Sequence, residues 1–72
     1  MTDTKPSKEV MAKLAQASYQ MGTKDLGRTK RLENTQNMVS DTDWIVEPDH
    51  TNSEITTYRH KDDPSNIVVS HM

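Results

Sequence analysis

Three histidines, His50, His60 and His71, and two close aspartate pairs, Asp41/Asp43 and Asp62/Asp63, are the side chains best suited to chemistry here. A histidine-based zinc site gathers its ligands at short spacings and often adds cysteine. These histidines stand ten and eleven residues apart, and the chain has no cysteine. They read as solvated loop or strand-end residues, and no metal or cofactor is expected. Paired carboxylates can divide acid and base roles. Asp62-Asp63, however, runs directly into Pro64-Ser65, which is turn chemistry. Serine hydrolysis needs small residues around the nucleophile, hence G-x-S-x-G. Gly22 and Gly27 are the only glycines and flank no serine. Two isolated glycines cannot cradle a phosphate either. No self-contained catalytic machinery is legible, so the chain is not expected to be an enzyme by itself.

Two further groups could bind rather than react. Lys24, Arg28, Lys30 and Arg31 form a basic cluster that could meet phosphates. Against that, the formal net charge is -2 and the cluster carries no aromatic platform. A solvated face or a protein contact is the preferred reading, with nucleic acid as the weaker one. Trp44 and Tyr58 read as core or cross-strand packing, with a partner-binding patch as the alternative.

The elements that would position these residues follow from periodicity. Residues 1–6 are polar and read as a disordered tail. A helix is expected over residues 7–21, with Ser7 as N-cap, Glu9 near the positive end of the dipole and Gly22 as the stop. Val10, Leu14, Ala17 and Met21 recur at helical spacing and give it one apolar face. Residues 22–43 read as a long irregular loop with one or two helical turns, because Gly27 and the polar run from Glu33 to Asn37 weaken a second helix. From Asp43 the period changes. Trp44 to Glu47 reads as a strand ended by Pro48, Glu54 to His60 as a second, and Asn66 to His71 as a third. Short polar turns join them. The expected architecture is α+β: one N-terminal amphipathic helix laid on a three-stranded antiparallel meander over residues 44–71.

The composition bounds this fold tightly. The 72 residues hold eleven Leu, Ile and Val and no Phe, too few for a generous core. Without disulfides, so small a domain calls for a metal or a partner. No apolar run is long enough to span a membrane, and no signal peptide is visible. An intracellular protein is therefore expected, with a virion-associated one implied only by the resemblance given below. The apolar run Ile67-Val68-Val69 lacks polar alternation and reads as a strand covered on both faces. Standing at the end of the sequence, it suggests a piece of something larger. A protein partner or homo-oligomer is expected to cover this strand. Trp44, Tyr58, Ile67, Val68 and Val69, with Lys24, Arg28, Lys30 and Arg31, are the candidate interaction residues.

Several stretches together are similar to one family. Leu14-Ala15-Gln16-Ala17-Ser18-Tyr19 resembles the early helix of class 3 lipases, the triacylglycerol-lipase-like α/β-hydrolases. Trp44, the strand Thr56-Thr57-Tyr58-Arg59, and Asn66-Ile67-Val68-Val69-Ser70-His71 resemble that family's opening hairpin and first core strand. The resemblance covers about Leu14 to His71. In the family this strand leads into an arginine-glycine-threonine or serine loop that helps build the oxyanion hole. Here Met72 stands where the arginine is expected, so none of the family's catalytic residues can be placed.

Three functions follow as expectations. The first is a non-catalytic, lipase-like fragment acting as a small structural or interaction component, conceivably of a viral assembly. The second is the N-terminal part of a class 3 lipase, a carboxylic ester hydrolase whose catalytic remainder is missing. The third is a weak nucleic-acid binder using Lys24 to Arg31.

Overall fold

The computed structural model describes residues 5–71. Of the tail expected over residues 1–6, residues 1–4 lie outside that range, as does Met72. The chain forms two helices and a three-stranded antiparallel sheet, an α+β fold. Helix α1 spans Lys8–Ser18 and continues as a 3-10 turn over Tyr19–Gly22. Ser7 caps it as expected: its hydroxyl accepts from the Val10 N–H at 3.2 Å, satisfying one donor that a helix start leaves unpaired. Gly22 ends the 3-10 turn without entering the left-handed region. Leu14, Ala17 and Met21 are buried, and Val10 packs against the core beside them. The helical period of the sequence therefore marks the covered face.

The segment from 22 to 43 departs from the expected loop, because eleven of its residues, Arg28–Met38, form a second helix, α2. Its own apolar face is thin: Thr35 is its buried residue, and Leu32 is half-buried against the core. Side-chain tethers to other elements compensate. Arg28 donates to the carbonyls of Thr51 and Pro48, and Arg31 donates to the Met21 carbonyl. The Gln36 amide oxygen accepts the Val46 N–H at 3.0 Å. Lys30, Glu33 and Met38 add good helix formers, whereas Thr29, Asn34 and Asn37 are weaker ones, so propensity alone gives α2 only partial support. Tertiary tethering thus overrides a weak periodic signal.

Strands β1 (Trp44–Val46), β2 (Ile55–His60) and β3 (Ile67–His71) lie in the order β1-β2-β3. Trp44 pairs with His60 and Val46 with Tyr58, while Tyr58 faces Val68 and Thr56 faces Ser70. Alternation then puts Trp44, Val46, Thr56, Tyr58, His60, Val68 and Ser70 on the face toward the helices. Leu14, Ala17, Val39, Trp44, Val46 and Tyr58 form the core there. Pro48 opens a 3-10 turn over Pro48–His50 after β1. Past it the Thr51 hydroxyl donates to Glu47 O and accepts from Thr57 N–H, which bridges the two strands across the turn. Asn52 then uses its side-chain oxygen to receive the N–H groups of Glu54 and Ile55, which starts β2.

The expectation that β3 is covered on both faces is not met. Its residues alternate between exposed and half-buried, with Ile67 45 % and Val69 50 % accessible. Two helices suffice for one side of the sheet only, and β3 lies at its edge. The run Ile67-Val68-Val69 is apolar throughout, yet only Val68 turns inward.

Candidate functional site

The structure divides the candidate residues into three places. Trp44 and Tyr58 are in the core at 3 % and 0 % accessibility, so neither is available as a contact patch. Tyr58 crosses the inner layer and donates its hydroxyl to the Leu14 carbonyl at 2.7 Å, locking β2 to α1. Burial raises the pKa of this phenol well above its ordinary value. Trp44 packs edge-on against the His60 ring at a centroid distance of 5.2 Å.

The basic cluster is split. Arg28 and Arg31 are spent on backbone carbonyls, as described above, and Arg31 Nε is buried without a hydrogen-bond partner among the described residues. Lys24 lies in an exposed turn and Lys30 stands 3.9 Å from Glu33 on the surface. Half of the charge available to a phosphate backbone therefore braces the fold instead.

The histidines and carboxylates are scattered in the same way. His60 accepts from the Asp62 N–H through Nδ1, and its Nε2 lies 4.0 Å from Asp43. Asp43 in turn faces Lys61 at 3.2 Å. Asp63 receives both the N–H and the hydroxyl of Ser65, the turn role expected of it. Asp41 pairs with Lys13 at 2.6 Å, and that hydrogen bond holds its carboxyl below the usual range. Glu9, Val10, Lys13, Asp41 and Thr42 line an open groove of about 210 Å³. Its one hydroxyl, Thr42, is already engaged with Val39 O and Trp44 N–H. No His, Cys, Asp or Glu side chains gather in threes among the described residues.

What remains is the outer face of the sheet and its two edges. Ile45, Ile55, Thr57 and Arg59 lie on this outer face together with Ile67, Val69 and His71, by alternation from the paired register. Arg59 forms an ion pair with Glu47 at its centre. Ile45 and Ile55 are half-buried on this face with the more exposed Ile67 and Val69, while Thr57 between the strands is buried and donates its hydroxyl to His50 O of the 3-10 turn. Neither isoleucine was among the sequence candidates, although the alternation of β2 placed Ile55 opposite Tyr58.

The edges differ in their hydrogen bonding. The bonds Glu47 N–H to Thr57 O and Lys61 N–H to Asp43 O direct the odd residues of β1 inward to the ladder, leaving Trp44 and Val46 to point out. Both of those outward N–H groups are taken, by the Thr42 hydroxyl and the Gln36 amide. On the opposite side, His60 N–H donates to Asn66 O, so residues 66, 68 and 70 face β2. The N–H groups of Ile67, Val69 and His71 point away from the sheet, and no group among the described residues caps them.

Compared with known proteins, the chain matches no family model, no curated protein and no solved structure. Among the described residues no helix is long and apolar enough to cross a membrane.

Proposed function

We propose that this chain is a non-catalytic interaction component, built from lipase-like segments, that takes a partner polypeptide along the open edge of β3. The observation that carries this reading is the contrast between the edges. The donors of β1 are capped by side chains, whereas those of Ile67, Val69 and His71 meet no acceptor among the described residues. An uncapped edge is a template for an added strand: main-chain hydrogen bonds supply affinity, and alternate side chains supply selectivity. Ile67 and Val69 give that strand an apolar flank on the outer face. The lipase-like ancestry belongs to the proposal as well and is supported by the short segments Leu14–Tyr19 and Asn66–His71. A role within a larger assembly, such as a virion, is consistent with a chain whose exposed features are contacts rather than chemistry.

A photo-crosslinking amino acid placed at Val69, and in a separate chain at the exposed Ala12 on α1, tests this reading in the native host. Discrete adducts from position 69 and none from position 12 are expected. Equal labelling from both positions, or none from 69, would remove the β3 edge as a docking site.

A further inference from the structure

We infer that the strand added to β3 is β3 of a second copy, paired antiparallel about a two-fold axis through Val69. This deepens the interaction reading and rests on it. The outward residues are Ile67, Val69 and His71, and pairing about Val69 matches all of them. Val69 meets Val69 of the other copy, and Ile67 meets His71 at each end, so every open donor finds a carbonyl. Side chains opposite one another share a face. The two Val69 side chains therefore meet on the outer face, flanked by one Ile67 from each copy.

Charge supports this occupant. Positions 66 to 71 carry no Lys, Arg, Asp or Glu, the residues with which edge strands normally repel their own kind. A second copy thus introduces no like-charge pair, and a charged partner strand would find no counter-charge on β3. The other edge explains why such pairing would stop at two. Addition of β3 to β1 of another copy would propagate head to tail, as heterologous contacts do. But β1 is three residues long, is followed by Pro48, and has its outward donors occupied. The isologous contact is the one left open.

A five-residue ladder buries less than the roughly 800 Å² per partner of a standard interface, so the dimer is weak, with a dissociation constant on the order of 100 µM. Sedimentation velocity on the full 72-residue chain, from about 10 µM to 1 mM, is expected to show the weight-average mass rise from near that of the monomer to about 1.8 times it. Val69→Pro removes the two central donors and leaves the β2 ladder intact, because a proline is tolerated where the N–H faces outward. It is expected to weaken association by about tenfold to a hundredfold. Val69→Lys, which sets two ammonium groups face to face on the axis, decides the matter should the proline variant lose its circular dichroism signature. A wild-type monomer at 1 mM overturns the inference, as does a folded Val69→Lys variant that dimerises like wild type. Crosslinks from position 69 to a different polypeptide, with the purified chain monomeric, would defeat the second copy but leave the docking edge standing.

Discussion

Replacing Tyr58 by Phe isolates one hydrogen bond in the core and carries its own internal control. The ring stays in place and only the hydroxyl that donates to Leu14 O is lost. A buried hydrogen bond between neutral groups is worth about 0.5–1.5 kcal/mol net. At about 0.05–0.15 kcal/mol per residue, a 72-residue domain has roughly 4–11 kcal/mol of stability in total. At neutral pH the substitution should therefore lower Tm by about 4–8 °C per kcal/mol lost. The pH dependence is sharper. Burial raises the folded-state pKa of Tyr58 above its unfolded value of about 10. Above pH 10 the unfolded chain binds fewer protons at this site than the folded one, so wild-type stability falls as pH rises, by up to about 1.4 kcal/mol per pH unit. The phenylalanine variant has no such group. A deficit of about 1 kcal/mol at pH 7 is then cancelled between about pH 10 and 11, and the order of stabilities inverts beyond it. Urea titrations followed by fluorescence of the single, buried Trp44 from pH 7 to 11.5 would measure both effects. Parallel stability profiles for the two proteins would refute the reasoning, since they would mean that the hydroxyl is solvated in the folded state.

Leu14→Ala empties a site that is 1 % accessible at the centre of the core. The expected cost of about 2–5 kcal/mol approaches the whole stability of so small a domain, so the thermal transition should fall by 10 °C or more or vanish. A shift of less than about 4 °C would show that α1 is not seated as described. Gln36→Ala releases the Val46 N–H on the β1 edge. About 1 kcal/mol of stability should be lost, and sedimentation at high concentration should show species beyond the dimer, because one of the two capped donors of the second edge is freed while Trp44 N–H stays on Thr42. A variant that stays no larger than wild type would indicate that the shortness of β1, not its cap, guards that edge.

Much of this fold is legible in the sequence because its strongest signals are local. Ser7 ahead of Val10, Leu14, Ala17 and Met21 specifies where α1 starts and which face it buries. Pro48, Asn52 and Asp63-Pro64-Ser65 mark where the strands end and turn. Helix α2 was not legible, for a physical reason that can be named. Its seating relies on Arg28, Arg31 and Gln36 reaching backbone groups at residues 48, 51, 21 and 46, and a polar side chain spent on a distant carbonyl looks in sequence like one facing solvent. The same blindness affects the site. Arg28 and Arg31 read as free charge until their partners are seen.

The edge of β3 exposes a second limit of pattern reading. An apolar run such as Ile67-Val68-Val69 is ambiguous between a strand buried on both sides and an edge strand whose outward half awaits a contact. Both cases place β-branched residues at consecutive positions, and only the neighbours distinguish them. Here one neighbour, β2, is present, and the helices cover Val68 but not Ile67 or Val69. The ambiguity is itself informative about function. A strand that kept its outward residues polar could have remained an inert edge, as β1 does through its caps. Ile67 and Val69 add little to the core among the described residues. On the proposed reading these side chains are half of an interface whose other half is the same strand turned through two-fold symmetry.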